Sequence, residues 1–238
     1  MELQRTKLKY LNGNIKYLAD NKDLLKFLTV FIVSFLLFKF AYLLEDWFCG
    51  IMNVATYLTW HSIFELTSIV VSFAVFAVSY YTYDQTGNVK SAFLGCIFLS
   101  IGIIDMFHTL SFRGMPDFFK PIDSANQATT FWIIARLVMA FGFLITGFIP
   151  TRMNFRIKKF IFSIPSFVFS IIVLIIAVWF PDILPPMYLE TEGGLTELKI
   201  MLEYIVIIML IAAIIVMMHN YYKKGNDTSA IPLSCALI

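Results

Sequence analysis

The chain has 238 residues, of which 59% are hydrophobic, 17% aromatic and only 14% charged. A water-soluble domain is nearer half apolar and a quarter charged, so this composition excludes an ordinary soluble fold and indicates a membrane protein. The formal net charge of +2 is too small to suggest a nucleic-acid partner. The three cysteines lie far apart, without the close pairs typical of metal-binding or redox motifs.

The first 25 residues are polar and basic, and no small-residue cleavage site follows the first apolar run, so we expect no secretory signal peptide. This segment mixes lysines with leucine and tyrosine side chains. Such a pattern fits either an amphipathic helix on the anionic inner leaflet or a solvated tail. We therefore predict a basic cytoplasmic tail over 1–25 and a membrane domain over 26–238.

Six apolar runs are of a length suited to membrane helices. The hydrocarbon core is about 30 Å thick and a helix rises about 1.5 Å per residue, so a span takes about 20 residues. Lipid offers the backbone no hydrogen-bond partner, so each span must be helical. The predicted fold class is an all-α polytopic transmembrane helix bundle with six complete spans and the start of a seventh at Ile231. The six spans are 27–44, 63–83, 92–112, 129–150, 160–180 and 200–222.

The placement of lysine and arginine indicates the orientation, because cytoplasmic loops carry an excess of these residues. The tail, the connection between the fourth and fifth spans, and the segment after the sixth span are basic. The first and fifth connections are acidic, and the third is mixed. We therefore expect the N-terminus in the cytoplasm and the odd-numbered connections on the outer side.

Ionisable side chains inside predicted spans are costly and need a structural or functional reason. The second span begins with His61 and Glu65, which lie four residues apart on one helical stripe. The third span ends with Asp105 and His108, three residues apart on one face. With the predicted orientation, all four side chains lie in the outer leaflet.

The fourth and sixth spans bring further polar side chains to the same layer, namely Asn126, Arg136 and Glu203. Polar stripes avoid lipid, so we expect these groups to face one another in a polar pocket that opens outward. The predicted ligand-binding or sensing residues are His61, Glu65, Asp105, His108, Asn126, Trp132 and Arg136.

Two imidazoles and two carboxylates suit a divalent transition metal, with His61, Glu65, Asp105 and His108 as candidate ligands. The same groups suit a small polar ligand, with Arg136 as a bidentate clamp on an anion. They also suit a proton sensor, because histidine titrates near neutral pH. The alternative is structural: His61 contacts headgroups or water, and Asp105 pairs with Arg136 between helices. The sequence therefore leaves the identity of the cofactor open, with a divalent transition metal as one candidate.

Three sequence blocks carry the residues of this predicted pocket. They read HSxxELxSIxV from His61, DxxHTLxxxGM from Asp105 and ANxATxxWIxAR from Ala125. In order and spacing, these blocks resemble the third type of membrane-associated sensor domain, of the MASE group. The resemblance extends from about the first span to the end of the chain.

This resemblance implies the sensory input region of a bacterial histidine kinase or diguanylate cyclase in the inner membrane. Such a region precedes a cytoplasmic output domain and is usually dimeric. No output domain fits in the residues after the sixth span, so we expect an input fragment that is not itself an enzyme. One alternative is a metal-dependent membrane hydrolase, because such clusters also activate water. A small transporter is the less favoured alternative, since transporters commonly contain internal repeats and this sequence has none.

Overall fold

The computed structural model describes residues 25–26, 28–45, 50, 53–115, 125–150, 158–189 and 193–224. The chain divides into two compact units, one formed by residues 52–216 and the other by the two chain ends. The predicted cytoplasmic tail, except its last residue, and the predicted start of a seventh span lie outside the described residues.

The described part of the chain is helical apart from short connections and one small hairpin. Helices α2 to α6 are long and apolar enough to cross a membrane, whereas α1 is shorter than 18 residues. This confirms the predicted all-α polytopic bundle; α2 to α6 correspond to the second to sixth predicted spans, and α1 lies within the first. The helices are α1 (Leu28–Leu43), α2 (Val54–Thr86), α3 (Val89–Leu110), α4 (Ala125–Phe148), α5 (Lys159–Trp179) and α6 (Glu197–Lys224).

Helix α2 begins well before the apolar run that predicted it. The Asn53 side chain caps the helix by accepting a hydrogen bond from the Thr56 N–H at 2.8 Å. At the other end, Gly87 adopts a φ of 62°, which favours glycine, and donates its N–H to the Tyr83 carbonyl. Asn88 follows directly as the cap of α3. This tight turn makes α2 and α3 antiparallel neighbours.

Helix α3 is the centre of the bundle formed by residues 52–216. Thirteen of its 22 residues are buried, and it packs against α2, α4 and α5. Large apolar side chains on the surrounding helices are exposed, including Phe64, Val70 and Phe148. An exposed apolar surface of this extent suits a lipid solvent.

The α2–α3 contact depends on small residues. A Cβ atom added to Gly95 would lie 2.5 Å from Ser79 Cβ, and one added to Gly102 would lie 3.2 Å from Ser72 Cβ. Small residues let two helix backbones approach closely in a membrane. We call these four residues the glycine–serine seam. Its members are seven residues apart on each helix, so Glu65, seven residues before Ser72, continues the stripe that faces α3.

A short hairpin lies between α5 and α6. After a 3₁₀ turn at Pro181–Ile183, strands β1 (Tyr188–Leu189) and β2 (Gly194–Leu195) pair antiparallel, with Tyr188 opposite Leu195. The sequence analysis did not predict this hairpin, because two-residue strands are too short to show alternating hydrophobicity.

Candidate functional site

Two helices bring three of the predicted site residues together beyond the glycine–serine seam. His61 and Glu65 come from α2, and His108 comes from α3. One side-chain nitrogen from each histidine and one carboxylate oxygen all lie within 4.8 Å of one another. The close approach of α2 and α3 and the position of Glu65 on the facing stripe place these groups at one depth. We call them the His–Glu–His cluster.

The ring of His108 is held in one orientation by the backbone of α4. Its Nδ1 lies 2.8 Å from the Ala128 carbonyl oxygen, which can only accept a hydrogen bond, so Nδ1 carries the proton. Its Nε2 lies 3.9 Å from Glu65 Oε1, beyond hydrogen-bond distance. This Nε2 is buried and has no hydrogen-bond partner among the described residues. In the neutral ring, Nε2 therefore points a free lone pair into the cluster.

Aromatic rings surround His61. The His61 and Phe112 ring centroids lie 4.2 Å apart, and Tyr57 stacks on His61 with centroids 5.8 Å apart and planes 12° apart. The His108 ring meets His61 edge-on at 5.8 Å. The Nε2 atom of His61 is also buried, with no hydrogen-bond partner in the part of the chain that the structure describes. These aromatic rings pack against the half-buried side chain of His61.

Asp105 is fully buried, one helical turn before His108. Both of its carboxylate oxygens lack a hydrogen-bond partner among the residues with defined positions. Arg136 and Glu65 are the charged groups that act on it electrostatically. The alternative of a hydrogen-bonded Asp105–Arg136 pair is therefore not what the structure contains. Nor does Asp105 belong to the His–Glu–His cluster, so the structure assembles three of the four candidate metal ligands.

Trp132 on α4 lies between two cations. The Arg136 guanidinium carbon is 5.3 Å from the centre of a Trp132 ring, and Lys199 Nζ from α6 is 4.8 Å from it. Lys199 also donates to Glu203 Oε1 at 2.6 Å. Trp132 and Glu203 thus both contact a buried lysine that lies one residue before the predicted sixth span.

Asn126 has a different position from the one predicted. Its Oδ1 accepts hydrogen bonds from the backbone N–H groups of Met187 and Tyr188, at 2.6 and 3.0 Å. The adjacent Gln127 donates to the carbonyl of Ala177 near the end of α5, at 3.0 Å. These contacts attach the first turn of α4 to the hairpin and to α5. They hold Ala128, and so His108, in place.

Sequence reasoning missed Tyr57, Phe112 and Lys199. A signal was present for two of them, because Tyr57 lies four residues before His61 and Lys199 four residues before Glu203, each on the same helical stripe. Chemically, the cluster offers two histidine nitrogens and a carboxylate behind an aromatic wall. Such a set suits a cation or a polar ligand that donates hydrogen bonds.

Comparison with known proteins adds the family. The model of the MASE3 family, described as a membrane-associated sensor domain, matches residues 52–238, which include all three sequence blocks. Comparisons with curated proteins and with solved structures find no match. The match confirms the resemblance seen in the blocks and, with five helices of spanning length, shows a multi-pass membrane protein with a sensory input role. The chain belongs to the MASE3 family of membrane-associated sensor domains.

Proposed function

We propose that the chain is the input region of a bacterial histidine kinase or diguanylate cyclase and that its stimulus binds at the His–Glu–His cluster. The observation that carries this proposal is the convergence of His61, Glu65 and His108, with two buried histidine nitrogens that have no hydrogen-bond partner in the described residues. Buried polar groups in native proteins are nearly always satisfied. A binding site is the functional reason for keeping such groups inside a bundle.

The cluster has a direct way to affect the rest of the molecule. Its groups lie on different helices, and the central α3 also contacts α4 and α5. A ligand that bridges α2 and α3 binds best to one arrangement of the two helices. The ligand therefore shifts the equilibrium toward that arrangement, and the size of the shift is set by the difference between its affinities for the two arrangements. The glycine–serine seam transmits this change along the pair, because close-packed helices cannot absorb a shift locally.

We also propose the location of the chain, its oligomeric state and its partner domain. The tail 1–25 lies in the cytoplasm, and 26–238 forms the sensor domain in the inner membrane, as the distribution of basic residues supports. The domain acts as a dimer on a cytoplasmic output domain that follows it. Reading the coding sequence beyond Ile238 tests the last point directly.

The test of the sensing site compares variants of the full-length protein in living cells. Output is measured as histidine autophosphorylation or cyclic di-GMP synthesis in rich and in minimal medium, and membrane fractionation checks insertion. We expect output that changes with the medium in the wild type and a fixed output in His61→Ala and His108→Ala. The matched control is His219→Ala, which removes an exposed histidine outside the cluster. Equal responses in all four proteins would contradict the proposal.

A further inference from the structure

We infer that the His–Glu–His cluster binds a divalent transition-metal ion through His61 Nε2, a Glu65 carboxylate oxygen and His108 Nε2. This inference rests on the proposed function for the role of the site, and it adds the chemical class of the ligand.

The orientation of His108 is the one that a metal ligand needs. A histidine that binds a metal through one ring nitrogen usually donates the other N–H to a carboxylate or a backbone carbonyl. His108 donates its Nδ1–H to Ala128 O at 2.8 Å. Its Nε2 lone pair is thereby fixed, buried and directed at the cluster, and it accepts no hydrogen bond from the described residues.

The donor set and its spacing select the class of ion. Two imidazoles and one carboxylate are a common ligand set for zinc and for non-haem iron, whereas Mg²⁺ and Ca²⁺ prefer oxygen alone. Bonds of about 2.0–2.2 Å place the ligand atoms of a tetrahedral ion roughly 3.4 Å apart. The Glu65–His108 distance is 3.9 Å, and all three donors lie within 4.8 Å of one another. A bound ion would therefore draw the donor atoms closer together, by at most about 1.4 Å.

The charge near the cluster favours a cation. Glu65 and Asp105 are carboxylates and Arg136 is their basic neighbour, so their formal charges sum to one negative charge (−2 + 1). A divalent ion would change this charge to +1, and an anionic group in the fourth position of the ion would bring it to zero inside the bundle, where an uncompensated charge is costly. Asp105 contributes here through its charge rather than as a ligand, because its oxygens lie outside the group of donor atoms.

The wall of the site and the number of ligands have a further consequence. Tyr57 and Phe112 pack against the His61 ring at centroid distances of 5.8 and 4.2 Å. Three protein ligands leave a tetrahedral ion one position for an external group. The bound ion would therefore present an open position to a small ligand that carries a lone pair.

The binding test uses the purified chain in nanodiscs, with an affinity tag free of histidine and after treatment with a chelator. Zn²⁺ is titrated and counted by mass spectrometry, and Co²⁺ is followed by its visible absorbance. We expect one ion per chain, and at least a tenfold weaker affinity in His108→Ala and in Glu65→Gln. Glu65→Gln keeps the size of the side chain, so it tests ligation even if His108→Ala fails to fold. His219→Ala is the matched control and keeps the wild-type affinity.

A wild-type chain that binds no ion, or variants that bind as tightly as His219→Ala, would overturn the metal inference. The output of the full-length protein with Zn²⁺ or with chelator separates this result from the proposed function. If the metal binds at the cluster but output is indifferent to metal and to His108→Ala, the metal inference stands and the sensing proposal fails. If no metal binds but His108→Ala still fixes the output, the sensing proposal stands and the metal inference fails.

Discussion

The two halves of the α2–α3 pair are built for different purposes. Near the turn at Gly87, Ser79 and Gly95 touch so closely that no further atom fits between them. At the other end, the same two helices enclose Asp105 and the His–Glu–His cluster, where buried polar atoms have no hydrogen-bond partner in the described structure. One half is packed to native density, while the other keeps costly polar groups in close proximity.

This difference shows where stability and function are separated in the molecule. The glycine–serine seam sets the distance and register of the two helices with small side chains. The polar half can then hold unsatisfied groups, because its geometry is set elsewhere. Proteins commonly lose some stability at functional sites. We therefore expect substitutions in the seam to lower the free energy of unfolding and removal of a buried charge in the polar half to raise it.

The largest expected effect comes from breaking the seam. In Gly95→Ala, the new methyl group would lie 2.5 Å from Ser79 Cβ, so α2 and α3 must move apart. We expect the free energy of unfolding to fall by about 2 kcal/mol, as for other overpacked cores. The measurement is unfolding by sodium dodecyl sulfate in mixed micelles.

Adding Ser79→Gly to Gly95→Ala removes the clashing atoms and should recover most of the lost stability. The matched control is Gly194→Ala, since no atom lies within 4 Å of a Cβ added at Gly194. Equal losses in Gly95→Ala and Gly194→Ala would show that the seam does not set the helix distance.

An intermediate effect is expected at Asn126, which attaches α4 to the hairpin outside the α2–α3 pair. Asn126→Ala removes the acceptor of two backbone hydrogen bonds, from Met187 and Tyr188. We expect local stability to fall by about 1–2 kcal/mol. Hydrogen exchange at these two amides is the measurement, and Asn126→Asp, which keeps an acceptor oxygen, is the control. Unchanged protection in Asn126→Ala would mean that the hairpin is held by other contacts.

The smallest expected effect is a gain in stability in the polar half, opposite in sign to the losses predicted above. Asp105→Asn replaces a buried carboxylate that has no hydrogen-bond partner among the described residues with a neutral group of the same shape. We expect the free energy of unfolding to rise by about 1 kcal/mol, while the response of the full-length protein weakens. The same detergent titration and the output assay measure the two quantities. A loss of stability would instead indicate that Asp105 stabilises the bundle through the charge of Arg136.

The sequence predicted the helices well and the site in part. Apolar length alone placed α2 to α6, and depth along two antiparallel spans was sufficient to bring His61 and Glu65 to the level of His108. Depth along the helix did not predict the contacts of Asn126 and Asp105. The Asn126 side chain accepts hydrogen bonds from backbone N–H groups at the hairpin, and the Asp105 oxygens lie outside the cluster. The direction of these two side chains around the helix axis depends on neighbours that sequence periodicity does not identify.

The sequence by itself determined that this chain forms apolar helices of membrane length. Lipid imposes that feature on each segment separately, because every span must satisfy its own backbone hydrogen bonds. Only the tertiary structure decided that α3 is central, that Lys199 lies on Trp132, and that His108 donates to Ala128. These outcomes depend on how each helix is rotated against the next, and that rotation is set by the fit of small side chains between helices.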